Sequence, residues 1–86
     1  EFGGGEVMNA KELIEKLGGL DRAKKIVTDA PNGAVKFTPW CDFGVYLNAE
    51  GKERKYDHWV EARFSIRNGY AEMYNLTDVQ QAILEA

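Results

Sequence analysis

Residues Trp59–Asn75, WVEARFSIRNGYAEMYN, carry the strongest local fold signal in the chain. The pair Asn68-Gly69 stands inside this stretch, and an Asn-Gly pair between alternating apolar residues is typical of a two-residue type I′ hairpin loop. The loop would fix the strand register, with Phe64 opposite Met73. The sequence therefore predicts two antiparallel strands that meet at Asn68-Gly69.

This register divides the side chains of the predicted hairpin between two faces. The face predicted to point inward is almost entirely apolar, and its members are Val60, Ala62, Phe64, Ile66, Ala71 and Met73. The opposite face is polar with aromatic rings, and its members are Trp59, Glu61, Arg63, Ser65, Arg67, Tyr70, Glu72 and Tyr74. Such a division is typical of an antiparallel sheet with one buried and one partly wet face.

Two helices are predicted before the strands. Asn9 is suited to cap the first helix, and Glu12 completes a capping box. Gly18-Gly19 ends that helix, because glycine accepts the left-handed conformation without steric cost. The second helix is expected from Leu20 to Ala30. Its predicted inward residues are Leu20, Ala23, Val27 and Ala30, with Ile26 beside them.

The remaining elements complete the predicted fold. Alternation predicts strands over 34–38 and 43–48, and the charged stretch 52–55 is expected to be a solvated hairpin tip or edge. Thr77 is suited to cap a last helix that ends near Glu85. The sequence thus predicts the α+β class, with a helical hairpin, a four-stranded antiparallel meander sheet and a short C-terminal helix.

Length and charge limit the classes of function. Residues 1–7 include Gly3-Gly4-Gly5 and are interpreted as cloning-derived residues or a disordered linker, which leaves 8–86 as a single α+β domain. Outside residues 1–7 there are 11 basic and 12 acidic residues, a formal charge of −1. This balance argues against binding to duplex nucleic acid or an anionic membrane. No apolar run is long enough to cross a bilayer.

Cys41 and His58 are the only cysteine and the only histidine of the chain. They cannot supply the ligands of a usual zinc site or form an intrachain disulfide, so no metal and no cofactor is expected. A nucleophile pair of Cys41 and His58, with Asp57 as orienting carboxylate, is conceivable but lacks a local signature. A packed loop cysteine and a surface histidine explain both residues, so we predict that the protein is not an enzyme.

The helical hairpin also resembles a helix-turn-helix, which favours a nucleic-acid-binding regulator as the alternative function. Arg22, Lys24 and Lys25 would then contact the nucleic acid. Asp21 and Asp29 lie on the same outward surface and weaken this hypothesis. A sheet face with aromatic rings is a second route to single-stranded nucleic acid.

The leading hypothesis is a protein interface made of aromatic and arginine side chains, residue types that are enriched at interface hot spots. The predicted interface residues are Trp40, Trp59, Arg63, Arg67, Tyr70 and Tyr74. Self-association through this patch or through a sheet edge is a variant of the same hypothesis. In the alternative interpretation, a helix covers this face and the rings belong to the core.

Several stretches resemble small accessory reading frames of tailed phages and prophages of enteric bacteria. The resemblance rests on Leu-Gly-Gly-Leu at 17–20, the stretch 21–27, Ala-Pro-Asn-Gly-Ala at 30–34 and Asn-Leu-Thr-Asp-Val at 75–79. It covers the two ends of the chain better than residues 39–69. It implies a cytoplasmic protein made in an infected or lysogenic bacterium, and it assigns no functional residue. The leading hypothesis accordingly takes a host or phage protein as the partner.

Overall fold

The computed structural model describes residues 9–39 and 44–86. Its elements, in chain order, are α1 (Ala10–Leu17), α2 (Leu20–Thr28), β1 (Ala34–Thr38), β2 (Val45–Asn48), β3 (Glu53–Lys55), β4 (His58–Val60), α3 (Phe64–Arg67), β5 (Tyr74–Asn75) and α4 (Leu76–Glu85). The predicted α+β class is confirmed, although the sheet has five strands instead of four. The described residues form two compact units, one made of 9–29 with Asp78–Ala86, and the other of 30–39 with 44–77.

In the first unit, the predicted caps of α1 are confirmed. The Asn9 side chain accepts a hydrogen bond of 2.8 Å from the Glu12 backbone N–H, and the Glu12 carboxylate accepts one of 3.4 Å from the Asn9 backbone N–H. Gly18 closes α1 with φ at 104°, in the left-handed region. The next helix begins at Leu20, so α1 and α2 form the expected helical hairpin.

Three helices supply the buried residues of the first unit. These residues are Leu13, Ile14, Leu17, Ala23, Ile26, Val79 and Ala82. The predicted inward stripe of α2 was partly wrong, because Leu20 is exposed and Ile26 is buried. The last helix begins at Leu76, so Thr77 is its second residue and not its cap. None of the described helices is both long and apolar enough to span a bilayer.

The second unit contains the antiparallel sheet, whose strand order is β4-β3-β2-β1-β5. The last strand returns to pair with β1, and Phe37 lies opposite Tyr74. On its other side β1 pairs with β2, where Phe37 lies opposite Tyr46. Leu47 of β2 lies opposite Glu53 of β3. The predicted simple meander of four strands is therefore replaced by a sheet with β1 between β2 and the last strand.

The predicted Asn68-Gly69 hairpin was wrong, because the chain forms the short helix α3 at this point. A type I′ loop needs positive φ at both central residues, whereas φ is −104° at Asn68. The backbone N–H of Asn68 donates to the Phe64 carbonyl at 3.0 Å, and that of Tyr70 donates to the Ser65 carbonyl at 2.8 Å. These are hydrogen bonds of a helical turn and its end, so the two-strand register does not exist here.

The second unit contains a cluster of buried apolar residues from β2 and from the segment around α3. The buried cluster consists of Val45, Leu47, Ala62, Ile66 and Ala71. Ala62, Ile66 and Ala71 were predicted to point inward, and all three are buried. Phe64 and Met73 were also predicted to point inward, but both are exposed. For Phe64 the reason is the helical turn, in which residues two positions apart, such as Phe64 and Ile66, point to different sides.

The charged stretch 52–55 was predicted to be a solvated tip or edge, and this was also wrong. Residues Glu53–Lys55 form β3, which lies between β2 and β4 in the sheet. Glu53 is buried, with a relative exposure of 6%. A carboxylate in this position requires a partner, and Arg63 supplies one.

Candidate functional site

Phe64 and Tyr70 form an exposed pair of aromatic rings at α3. Their ring centroids lie 5.9 Å apart, and the ring planes are inclined by 22°, which is a stacked arrangement. Phe64 is 63% exposed and Tyr70 is 70% exposed. Large rings with this exposure are the groups most enriched at interface hot spots. The pair is therefore the most conspicuous apolar feature on the surface of the second unit.

The local backbone holds the two rings in place. Phe64 is the first residue of α3, and its carbonyl accepts hydrogen bonds from the backbone and from the side chain of Asn68, at 3.0 and 2.9 Å. Beyond the helix, Tyr70 is fixed by its N–H bond to the Ser65 carbonyl. Because these bonds set the positions of both backbones, the stacked pair is organised before any partner arrives.

The start of α3 is fastened to the sheet by Glu53 and Arg63. The Glu53 carboxylate accepts three hydrogen bonds from Arg63, from the backbone N–H at 2.9 Å, from Nε at 3.0 Å and from Nη2 at 2.8 Å. The side chain of Glu53 is 8% exposed, and that of Arg63 is 45% exposed. The side-chain hydrogen bond from Arg63 lowers the pKa of Glu53 below its ordinary value of 4.5, against the opposing effect of burial.

A second pair of opposite charges joins α3 to the residues that precede it. Arg67 Nη1 and Glu61 Oε2 are 3.5 Å apart, with side chains 51% and 81% exposed. Arg67 follows Phe64 by three residues in α3, so the two side chains share one side of the helical turn. We name the set of Glu61, Phe64, Arg67 and Tyr70 the α3 patch. It combines an apolar centre with one positive and one negative group.

Trp59 and Tyr74 lie on the sheet, in a row of side chains that crosses it. Trp59 is opposite Arg54, and the Arg54 guanidinium lies 5.1 Å from the centroid of the Trp59 ring. On β2 and β1 the row continues with Tyr46 and Phe37, whose ring centroids are 5.1 Å apart, and it ends with Tyr74 opposite Phe37. Burial, followed by the effect of the nearby Glu72 carboxylate, raises the pKa of Tyr74.

The row has the composition of a stacking platform but little accessible ring surface at its centre. Phe37 is 2% exposed, and Trp59 and Tyr74 are half-buried. Gly33 lies against the Trp59 ring, since a Cβ at this glycine would stand 3.6 Å from Cζ2 of the indole. Trp59 and Tyr74 are thus engaged within the second unit.

The structure separates the predicted interface residues into two groups. Arg63, Arg67 and Tyr70 belong to the α3 segment, whereas Trp59 and Tyr74 lie in the sheet row. The register that placed all five on one face is wrong, although Trp59 and Tyr74 do share a face. Trp40 lies outside the described residues, and the prediction for it stays a prediction.

Sequence reasoning missed two residues that matter for the surface. Phe64 was assigned to the core, although its spacing of three residues from Arg67 also fits one side of a helical turn. Tyr56 was not considered, yet it is 87% exposed at the tip of the β3–β4 hairpin and has φ at 57°. A tyrosine in the left-handed region is unusual, and the two-residue spacing between Lys55 and His58 is the signal that could have identified this turn.

Of the hypothetical nucleophile pair, only His58 lies among the described residues. His58 Nδ1 lies 3.1 Å from Asp57 Oδ1, and both side chains are exposed. This contact with His58 lowers the pKa of Asp57. Cys41 lies outside the described residues, so its distance from His58 is not defined. Across residues 9–39 and 44–86, no three His, Cys, Asp or Glu side chains form a group able to hold a metal ion.

The residues of the alternative nucleic-acid hypothesis all lie on α2. Arg22, Lys24 and Lys25 are exposed, as that hypothesis requires. Lys25 forms an ion pair of 3.0 Å with Asp29, which offsets its charge. Arg22 and Lys24 are two residues apart and therefore project from different sides of the helix. The hypothesis stays a prediction.

Comparison of the chain with protein-family models, with curated proteins and with solved structures found no match.

Proposed function

We propose that the protein is a non-enzymatic interaction module that binds another protein through the α3 patch. The single observation that carries this proposal is the stacked and exposed pair of Phe64 and Tyr70. Two rings of this size would contribute apolar contact area, and their fixed stacking lowers the entropy lost on binding. Arg67, three residues after Phe64 in α3, adds a planar donor group.

The proposal keeps Arg67 and Tyr70 from the sequence hypothesis and replaces the sheet residues by Phe64. Trp59 and Tyr74 are half-buried in the sheet row, and Arg63 is engaged by Glu53. We assign these three residues to the scaffold that positions the patch. We also assign the buried carboxylate of Glu53 a structural role in this scaffold.

The resemblance to phage accessory reading frames suggests where a partner would be found. We propose that the partner is a protein of the bacterial cytoplasm, either a host or phage protein or, as the self-association variant, a second copy of this chain. A small module with a preformed aromatic anchor suits this role, because the anchor needs no cofactor and no folding of the module on binding.

The experiment is an affinity capture from bacterial lysate with quantitative mass spectrometry. The wild type is compared with Phe64→Ala/Tyr70→Ala, and Tyr56→Ala is the matched control, because it removes an exposed ring away from the patch. We expect the wild type and the control to recover the same proteins, and the double variant to lose at least one of them tenfold. Equal recovery by all three proteins, with unchanged circular dichroism and no self-association through the α3 patch, would contradict the proposal.

A further inference from the structure

The α3 patch carries the two opposite charges that a symmetric contact requires. In a twofold interface the same surface meets itself, so every group on one copy needs its complement on that same surface. Arg67 and Glu61 are such complements, and Arg67 lies on the same side of the α3 turn as Phe64. We infer that the partner of the α3 patch is a second copy of this chain, with Arg67 of each copy facing Glu61 of the other. The inference rests on the proposed function, since it names the partner for the same surface.

The contact between Arg67 and Glu61 within one copy is loose enough to be replaced by contacts between two copies. Its closest approach is 3.5 Å, longer than the 2.8 Å between Arg63 Nη2 and Glu53 Oε2 and longer than a strong charged hydrogen bond. Both side chains extend into solvent, so turning each toward a neighbouring copy exposes no buried charge. The Arg63–Glu53 pair, in contrast, stays within its own copy because its carboxylate is buried.

The charge pattern favours a second copy over a strongly charged partner. A uniformly acidic surface would attract Arg67 and repel Glu61, and a uniformly basic surface would do the reverse. The surface of a second copy satisfies both groups at once. The apolar rings of Phe64 and Tyr70 would then meet near the twofold axis, where water is excluded first.

The exposed ring area sets the expected strength. A large aromatic side chain presents about 200 Å², so the exposed fractions of Phe64 and Tyr70 leave roughly 270 Å² of ring surface in solvent. A stable interface of standard size uses about 800 Å² on each partner. The rings supply about one third of this area, so we expect a weak and reversible dimer.

Sedimentation velocity with charge-reversed variants tests the inference. The wild type, Glu61→Arg, Arg67→Glu and the swapped double variant Glu61→Arg/Arg67→Glu are each measured at about 5 to 500 µM, a range that brackets micromolar dissociation constants. An equimolar mixture of the two single variants is measured under the same conditions. The mixture is the decisive sample, because one variant carries two arginines and the other two glutamates at these positions.

We expect the wild type to dimerise reversibly and each single variant to dimerise at least tenfold more weakly. The mixture of single variants and the swapped double variant should both recover dimer. Recovery in the mixture is decisive, because each single variant lacks an opposite-charge pair within its own copy, whereas the swapped double variant restores that pair as well. A monomeric wild type at the highest concentration would overturn the inference, as would a dimer that none of these substitutions changes. The affinity capture decides the proposed function separately: loss of partners only in Phe64→Ala/Tyr70→Ala, together with a monomeric wild type, would reject the homodimer and leave the proposed function in place.

Discussion

Arg63 donates three hydrogen bonds to the carboxylate of Glu53, a residue ten positions earlier in the chain. Arg63 immediately precedes α3, and Glu53 lies in β3. The contact therefore fixes the point of the sheet at which the helical turn begins. Because Phe64 is the next residue, the same contact determines where the exposed ring pair is placed.

Arg63→Ala should lower the free energy of unfolding by about 2 to 4 kcal/mol. The substitution leaves the carboxylate of Glu53 buried and without its charged partner, and truncation of one member of a buried pair is costly. Because the Arg63 side chain is partly exposed, this expected loss is smaller than the loss of about 3 to 5 kcal/mol that is typical of a fully buried pair. Urea denaturation followed by tryptophan fluorescence measures the change.

Arg67→Ala is the matched control for this prediction. Its pair with Glu61 is exposed and 3.5 Å long, so its removal should change the free energy of unfolding by no more than about 1 kcal/mol. Equal destabilisation by the two substitutions would show that the contact with Glu53 does not hold α3 in place.

The Glu53 carboxylate should make stability depend on pH in the acid range. Hydrogen bonding by Arg63 lowers the pKa of Glu53 in the folded protein below 4.5. The carboxylate therefore stabilises the fold fully above the pKa of the unfolded chain, and this stabilisation disappears as the pH falls through the lower pKa of the folded state. The wild type should lose its advantage over Glu53→Gln progressively as the pH falls below about 5. Denaturation curves of both proteins across that range provide the measurement, and a difference that stays constant with pH would refute the assignment.

Gly44→Ala should destabilise the second unit far more than Gly51→Ala. Both glycines have positive φ, 73° and 83°, so each substitution strains the backbone by about 1 kcal/mol. At Gly44 the new methyl group would in addition overlap the ring of Phe37, whereas nothing lies within 4 Å of a methyl group at Gly51. Overpacking of this kind adds about 1 to 3 kcal/mol. Similar melting temperatures for the two variants would contradict the close approach of Gly44 and Phe37.

Tyr56→Asn should raise the free energy of unfolding by about 0.5 to 1 kcal/mol, because asparagine accepts the left-handed conformation more readily than tyrosine. The tyrosine ring is almost fully exposed, so its removal sacrifices little packing. Tyr56→Val should have the opposite effect, since a β-branched residue is more strained at φ 57°. Thermal unfolding of both variants tests the prediction. A melting temperature of Tyr56→Val equal to that of Tyr56→Asn would contradict it.

Local chemistry made the first half of the fold predictable. The cap at Asn9 and the end of α1 at Gly18 depend on residues within one helical turn, and both were predicted correctly. The bounds of β1, Ala34–Thr38, also agree with the alternation of the sequence. Each of these features is determined by neighbours in the chain, which is the information that a single sequence contains.

The second half was mispredicted because two patterns overlap there. Ala62, Phe64 and Ile66 alternate as in a strand, but the spacing of Ala62 and Ile66 equally suits a helical turn. The contact between Arg63 and Glu53 joins residues far apart in the chain and favours the turn. Arg67 and Tyr70 are exposed, as the sequence predicted. Their neighbour Phe64 is exposed too, although the strand pattern assigned it to the core.

Photo-cross-linking in bacterial cells tests most directly whether the rings of α3 contact a partner protein. The photo-reactive residue p-benzoylphenylalanine replaces Phe64 in one protein and Tyr56 in another, so that both carry the probe at an exposed aromatic position. We expect discrete covalent adducts, with a second copy or with another protein, from position 64 and few from position 56. The absence of adducts from position 64, or the same adducts from both positions, would contradict the assignment of the α3 patch as the binding surface.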